Sequence, residues 1–123
     1  MTPTRILVVD DDRSSCVILQ RILTRWGYVV DTSLDPVEAL ELIKQNDYQL
    51  AVLDYQMPGM NGVELYRQMQ IVRPHLPAIF ETAYARIDVV FAAIEGGASR
   101  VLPKPVDFAE LRPVVEELVG EPS

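Results

Sequence analysis

The sequence predicts a single α/β domain in which a parallel sheet lies between two layers of helices. Three observations lead to this prediction: short β-branched apolar runs recur along the chain, amphipathic helical patterns separate them, and three of the runs end at charged residues. Parallel strands need long crossovers, and right-handed crossovers place helices on both faces of a sheet. The 123 residues are enough for one such domain and leave no room for a second.

The first half of the chain supplies two strand–helix units and a third strand. The first predicted strand, residues 5–9, ends at three consecutive aspartates. A helix over 13–26 follows and ends at a glycine; its expected buried stripe is Ile18, Leu19, Ile22, Leu23 and Trp26. Residues 28–32 form the second strand. Asp35 is the expected N-cap of a helix that runs to about residue 46, and its expected buried face is Val37, Leu40 and Ile43.

The second half continues the alternation. The third strand, residues 50–54, ends at an aspartate, and a turn over 59–62 leads into a helix over 63–70. Residues 77–82 form the fourth strand, 87–95 the fourth helix, 99–102 the fifth strand and 108–119 the last helix. Pro103 is compatible only with an edge strand, and Pro113 predicts a bend or an irregular first turn. Residues 1–123 are therefore one domain, with 120–123 as a tail or truncated linker.

Composition and charge narrow the function. The chain is 49% hydrophobic with no run near the roughly 20 apolar residues of a membrane span, and it shows no signal peptide. A single cysteine, Cys16, suits a reducing compartment, so a cytoplasmic location is expected. The net charge of −7 argues against nucleic acid as a partner of this domain and favours a protein with a basic surface.

Charged residues end three of the predicted strands. The strand order 2-1-3-4-5 makes the first and third strands neighbours where the winding reverses, and ligands bind at that point. Asp10, Asp11 and Asp54 would meet there, with Lys104 arriving from the end of the fifth strand. Two carboxylates about 4 Å apart repel by roughly 4 kcal/mol at an effective dielectric near 20, so the cluster is tolerable only with a cation or with shifted pKa values. Oxygen ligands suit Mg²⁺ or Mn²⁺. The pattern predicts a metal-and-phosphate site.

Four motifs in this order resemble the receiver domain of bacterial two-component response regulators, over nearly the whole chain. They are the acidic pair that ends residues 8–11, the segment 53–62 with its aspartate and turn, the pair Thr82-Ala83, and Gly97-Ala98 followed by Lys104-Pro105. The resemblance implies a flavodoxin-like (βα)5 sandwich. It also implies a signalling domain that, without being an enzyme with a separate substrate, catalyses its own Mg²⁺-dependent phosphorylation and the hydrolysis of its acyl phosphate.

The resemblance assigns a role to each site residue. Asp54 would take the phosphoryl group from a phosphohistidine. Asp11 and Asp54 would bind Mg²⁺ directly together with the backbone carbonyl of Gln56, while Asp10 would act mostly through a metal-bound water.

The remaining roles concern the phosphoryl oxygens. Lys104 would pair with one of them, and the Thr82 hydroxyl with the Ala83 N–H would hold another. The resemblance also implies a cis Lys104–Pro105 bond. Asp12 is expected outside the site, either solvated or capping the first helix.

The implied partners are proteins. They are a sensor histidine kinase or histidine phosphotransfer protein upstream, an effector protein or domain downstream, and a second copy of the chain in a phosphorylation-dependent homodimer. The implied signal is a conformational change of the surface formed by the fourth helix, the fifth strand and the last helix, including a shift of the loop that carries Tyr84.

Two residues depart from the family pattern. Arg100 is interpreted as occupying the place of an aromatic residue that moves inward when the threonine moves, so it is expected to reorient as a charge. Glu81 precedes Thr82 where an apolar residue is usual. Because the fourth and fifth strands adjoin, pairing of Glu81 with Arg100 is a hypothesis.

Two other functions remain open on the sequence. The Asp10-x-Asp12 pattern is also that of haloacid-dehalogenase-like phosphatases, in which Asp10 would be the nucleophile and Asp12 the acid/base. The short chain and the Asp54 segment count against this reading. The other alternative is a receiver that is never phosphorylated and serves only as an interaction domain.

Overall fold

A computed structural model describes residues 3–83 and 87–121, and five strands alternate with five helices in these ranges. The strands are β1 Arg5–Val9, β2 Val29–Ser33, β3 Leu50–Asp54, β4 Ala78–Thr82 and β5 Arg100–Pro103. The helices are α1 Arg13–Arg25, α2 Pro36–Gln45, α3 Gly62–Val72, α4 Ile87–Glu95 and α5 Phe108–Val119. The predicted elements are therefore all present, with ends that differ by one or two residues.

The strands form one parallel sheet in the order β2-β1-β3-β4-β5. This is the predicted order, and it makes β1 and β3 neighbours, with Val9 opposite Leu53. Successive strands on either side of this pair wind in opposite directions, so the carboxyl ends of β1 and β3 border the crevice where ligands bind in such sheets.

The sheet separates two hydrophobic cores. One contains Phe80, Leu53 and Met69 and packs against α2, α3 and α4. The other contains Ile6, Leu23 and Val115 and packs against α1 and α5. Side chains alternate between faces along each strand, so the two cores fix which residues of each strand end point toward which pair of helices.

Side-chain caps begin the helices next to the crevice. An oxygen of Asp12 accepts from the Ser14 N–H at 3.1 Å, which satisfies one of the free N–H groups of the first turn of α1. Asp35 caps α2 in the same way through the Val37 N–H at 3.1 Å. The predicted cap at Asp35 is confirmed. Asp12, which was expected to be either solvated or capping the first helix, caps α1.

Two predicted buried faces are wrong in part. Leu19, Leu23 and Ile43 are buried as expected, but Ile18 is 52% exposed and Val37 is 66% exposed. Both residues lie at the border of their helix's apolar stripe. Periodicity gives the direction of such a stripe, whereas its width depends on how closely the neighbouring helices approach.

Pro103 has the predicted edge-strand setting, whereas the bend or irregular first turn expected from Pro113 stays a prediction. Pro103 ends β5, an edge strand that pairs only with β4 in the described sheet. Pro113 lies inside α5, which continues as one helix from Phe108 to Val119. Within the described ranges, no helix combines the length and apolarity needed to cross a membrane.

Candidate metal and phosphate site

The acidic cluster lies at the carboxyl ends of β1 and β3. Asp10 follows β1 directly and Asp54 is the last residue of β3; they are 0% and 6% exposed, while Asp11 is exposed. Each buried carboxylate accepts a backbone hydrogen bond, Asp10 from the Asp12 N–H at 2.9 Å and Asp54 from the Gln56 N–H at 3.3 Å. The chain that leaves each strand therefore orients the carboxylate that ends it.

The donor set of this cluster fits a hard divalent cation. Asp10, Asp11 and Asp54 each offer a carboxylate oxygen, and these oxygens all lie within 4.8 Å of one another. All three donors are oxygen, and Asp11 is open to solvent, which leaves room for the water ligands that Mg²⁺ retains. The exposed Gln56 lies two residues after Asp54, where its backbone carbonyl is the predicted further ligand. The residues present fit the metal predicted from the sequence.

Lys104 connects the two buried aspartates. Its Nζ lies 2.8 Å from Asp10 Oδ2 and 3.4 Å from Asp54 Oδ1, so the ammonium compensates part of the negative charge. The Lys104 N–H donates to the Thr82 carbonyl at 2.8 Å, which fixes the end of β5 to the end of β4. The Lys104–Pro105 bond is cis, so this prediction is confirmed. The structure thus brings the lysine and the aspartates together as expected.

Thr82 and Ala83 complete the group of predicted site residues. Thr82 is the last residue of β4 and is 1% exposed, while Ala83 is exposed just beyond the strand. They lie at the end of β4, beside the cluster that ends β3, and their roles toward a phosphoryl oxygen stay predictions. Tyr84 and the expected shift of its loop lie outside the described residues.

Burial and charge alter the protonation of the carboxylates. Burial, with the neighbouring Asp10 carboxylate, raises the pKa of Asp54 to about 6, although Lys104 opposes the shift. Burial would lower the pKa of the Lys104 ammonium, but its hydrogen bond to Asp10 and the nearby carboxylates raise it above its ordinary value. Both shifts express an excess of buried negative charge that a cation would relieve.

Glu81 is a further acidic neighbour, and its surroundings differ from the sequence-based hypothesis. It is 2% exposed and stands opposite Asp54 in the β3–β4 register. Burial raises its pKa to about 7 against the influence of Lys104, and the nearby carboxylates of Asp10 and Asp54 add to the rise. The position of Glu81 in the sequence could have indicated that it lies near the cluster. A charged residue next to the end of a buried strand lies at the same edge of the sheet as the other strand-end groups.

The hypothesis that Glu81 pairs with Arg100 is wrong. Arg100 stands opposite Ile79 and its Nη2 lies 3.1 Å from Glu117 of α5, with both side chains largely exposed. Glu81 stands opposite Leu102 instead. The register of β4 and β5 thus separates the two residues that their adjacency in the sheet suggested as partners.

The interpretation of Arg100 as the residue that follows the threonine is also wrong, by one position. Val101 stands opposite Phe80 and packs against the core on the α4 side, whereas Arg100 contacts α5. Thr82 is two residues beyond Phe80 and so shares its face of the sheet. The β5 side chains on the threonine's side are therefore Val101 and Pro103, and Val101 is the one that packs against the core.

Gly62 supports the site and was not singled out from the sequence. Its N–H donates to the Tyr55 carbonyl at 2.8 Å, and a Cβ at this position would lie 2.5 Å from the Asp54 backbone oxygen and 2.8 Å from Phe80 Cε1. Only a residue without a side chain lets the first turn of α3 approach β3 this closely. The close approach fixes the backbone of Asp54 from one side.

Comparisons with known proteins agree with this geometry. The family model described as the response regulator receiver domain matches residues 6–116. Among curated proteins, the transcriptional regulatory protein ZraR of Klebsiella oxytoca is 38% identical over 115 residues, which cover 94% of this chain and 26% of ZraR. The response regulator MprA of Mycobacterium sp. (strain KMS) is 42% identical over 109 residues, 89% of this chain and 47% of MprA.

A solved structure gives the same result for the fold. A CheY-like response regulator receiver domain protein from Methanospirillum hungatei JF-1 superposes with a TM-score of 0.88 at 31% identity, covering 94% of this chain and 93% of that one. The chain spans about a quarter of ZraR and about half of MprA, the curated relatives that it matches. The likeness to these longer proteins thus concerns their receiver portion.

Proposed function

Because this chain belongs to the response regulator receiver family, we propose that it takes a phosphoryl group onto Asp54 from a phosphohistidine in a Mg²⁺-dependent reaction. Receiver domains of this family are phosphorylation-activated signalling domains of two-component systems that interact with histidine kinases and effector domains. One observation carries the assignment to Asp54. Its buried carboxylate is the member of the acidic cluster that ends β3, and Lys104 Nζ lies 3.4 Å from it.

The chemistry follows from where charge develops. A carboxylate oxygen of Asp54 forms a bond to phosphorus while the phosphorus–nitrogen bond of the phosphohistidine breaks, and the imidazole leaves with the bonding pair and gains a proton. Lys104 exchanges part of its contact with Asp10 and Asp54 for a phosphoryl oxygen. The Thr82 hydroxyl and the Ala83 N–H hold another oxygen.

The metal would be held by Asp11, Asp54 and the Gln56 carbonyl, with Asp10 acting through water. Bound there, Mg²⁺ or Mn²⁺ would supply positive charge that reduces the repulsion between the carboxylate and phosphoryl oxygens as they approach one another. Hydrolysis of the resulting acyl phosphate by water returns Asp54 to its free form. The same residues thus serve both directions of the signalling cycle.

Small phosphodonors test the proposal without the kinase. Incubation with phosphoramidate and Mg²⁺, followed by peptide mass spectrometry, should give an adduct on Asp54 that requires the metal and is lost in Asp54→Asn. An adduct on Asp10 would instead support the phosphatase alternative. That alternative has less support, because Asp12, its acid/base, is engaged at the α1 cap through Ser14 and Ser15. Absence of any adduct would favour a pure interaction domain.

The proposed output is a change of the surface formed by α4, β5 and α5. The phosphoryl group on Asp54 would carry about −1.5 to −2 charges in place of the carboxylate's single charge, which should draw Thr82 and Lys104 toward the new oxygens. The partners proposed for this surface are a downstream effector and a second copy of the chain. With beryllofluoride in place of the phosphoryl group, the amides of residues 82–104 should shift; unchanged spectra would contradict a response in this segment.

A further inference from the structure

A second cleft opens between α1 and α5, on the face of the sheet opposite α3 and α4. Its volume is about 530 Å³, within the range of small-molecule sites in proteins. Its lining includes the apolar residues Ile18, Leu19, Val106 and Phe108 and the charged residues Glu81 and Lys104. The cleft therefore combines an apolar surface with a charged floor.

The charged floor contains a buried oxygen without a partner. Glu81 is 2% exposed, and its Oε1 has no hydrogen-bond partner among the described residues. A buried polar atom that lacks a partner costs about 1–3 kcal/mol, and more if it is charged, so such atoms are rare in folded proteins. A donor that enters the cleft would supply the missing hydrogen bond.

The local charge favours a cationic donor. Glu81 and Lys104 are the charged residues that line the cleft. The ammonium of Lys104 is already paired with Asp10 at 2.8 Å and Asp54 at 3.4 Å, both buried carboxylates. An anion would meet repulsion from the carboxylates, whereas an ammonium group would add a charge-assisted hydrogen bond to Glu81. The floor of the cleft thus selects for positive charge.

The walls favour an apolar group beside that charge. Ile18 faces this cleft and is 52% exposed, although its helix pattern predicts burial. Leu19 and Phe108 continue the same surface. A ligand with a hydrocarbon or aromatic body would cover this area, and covering apolar surface is favourable by roughly 25 cal/mol per Å².

We propose that the cleft between α1 and α5 binds small organic ammonium ions that carry an apolar body, with the ammonium on Glu81 and the body against Ile18 and Phe108. Lys104 belongs both to this cleft and to the acidic cluster, so an occupant would also alter the surroundings of the lysine. The site does not depend on phosphorylation. Its test can therefore fail while the proposed phosphoryl transfer stands, or succeed while that fails.

The test is a titration of the whole chain with 2-phenylethylamine, followed by amide proton–nitrogen spectra with and without saturating Mg²⁺. Saturable shifts should appear in residues 15–19 and 104–108 in both conditions. The neutral isostere 2-phenylethanol should bind about tenfold more weakly, as expected when a charge-assisted hydrogen bond is replaced by a neutral one. Methylammonium, which lacks the apolar body, should also bind more weakly.

Three variants separate the two halves of the site. Glu81→Gln retains shape and removes the charge, and it should lower the affinity for the amine about tenfold while leaving that for the alcohol nearly unchanged. Ile18→Gln should weaken both ligands. Ile71→Gln is the matched control, since Ile71 is 81% exposed on α3 outside the cleft and its loss should change neither. The Ile18 variant tests the site even if Glu81→Gln does not fold.

Four outcomes would overturn the proposal. Equal binding of amine and alcohol would remove the role of charge, and undiminished amine binding by a folded Glu81→Gln would remove the role of that residue. Shifts confined to residues 10–12 and 54–56 that vanish with Mg²⁺ would place the amine in the acidic cluster. Absence of saturable shifts up to the solubility limit of the amine would mean that the cleft has no such ligand.

Discussion

Replacement of Gly62 by alanine should destabilise the domain and disturb the metal site together. Gly62 begins α3 with a φ that other residues can adopt, so its backbone conformation does not require glycine. Helix propensity alone would favour alanine by roughly 1 kcal/mol. Any loss of stability must therefore come from the added methyl group.

The magnitude follows from the distances around that methyl group. A Cβ at Gly62 would lie 2.5 Å from the Asp54 backbone oxygen, whereas ordinary contacts begin at 3.4 Å. Backbone must then move by about 0.9 Å at the start of α3 or the end of β3, and overpacking of this kind typically costs 1–3 kcal/mol. Because the contact is with a backbone atom, we take the upper end of this range, about 3 kcal/mol. The helix-propensity gain of about 1 kcal/mol leaves a net loss of about 2 kcal/mol, which lowers Tm by about 8 °C in a domain of this size.

Thermal and urea unfolding, followed by circular dichroism, measure the loss, and calorimetric titration measures Mg²⁺ affinity. The matched control is Gly59→Ala, because Gly59 has a φ of +82° but open space where its Cβ would be. Its cost should be about 1 kcal/mol, from the backbone alone, with unchanged Mg²⁺ affinity. A Gly62→Ala protein at least as stable as wild type, or more stable than Gly59→Ala, would refute the argument from close approach.

Three further predictions concern the site and its surroundings. Asp11→Ala should abolish Mg²⁺ binding measured by calorimetry. Asp12→Ala should leave Mg²⁺ binding nearly unchanged and cost about 1 kcal/mol of folding stability through the lost α1 cap. Equal losses of Mg²⁺ binding in the two variants would mean that the roles of the acidic residues are assigned in the wrong register. Cys16 is 3% exposed, and burial raises its pKa from 9.0 to about 11, so its thiolate fraction at pH 8 falls about 100-fold. Labelling of the native protein with iodoacetamide should therefore be far slower than labelling in urea, and similar rates would contradict the burial of Cys16. Trp26 follows the 13 residues of α1 and lies about 20 Å from the acidic edge, so its emission should not change with Mg²⁺; a strong quench would contradict the placement of α1.

The sequence was most informative about features that follow from local capping patterns and from the topology of the sheet. Asp35 before a proline and a helical pattern predicted a cap, and the cap is present. Strand-end charges predicted that Asp54 and Lys104 meet, and they lie 3.4 Å apart, because all strands of a parallel sheet end at the same edge. Such predictions depend on topology and not on how side chains share space.

Predictions that depended on how neighbouring helices and strands pack against one another were wrong or incomplete. Ile18 and Val37 are exposed although the periodicity of their helices predicts burial, because periodicity within one helix does not say which part of it the neighbouring elements cover. Gly62 was predicted only as part of a turn, because its lack of a side chain matters through the distance between α3 and β3, which the sequence does not give. Glu81 was recognised as unusual but assigned the wrong partner, since adjacency of strands does not give their register.

The register of β5 also decides how a movement of Thr82 can spread. A shift of one residue along a strand exchanges the two faces of the sheet, and Arg100 and Val101 show the consequence. Arg100 is held at α5 by Glu117 at 3.1 Å, on the side of the sheet away from Thr82. Val101 packs with Phe80 on the side of Thr82 and α4, and it is smaller than an aromatic ring. If Thr82 moves inward, the neighbouring β5 side chain that packs against the core is Val101, which is short, β-branched and restricted to few rotamers. We therefore infer that the proposed signal passes through displacement of α4 and not through reorientation of Arg100.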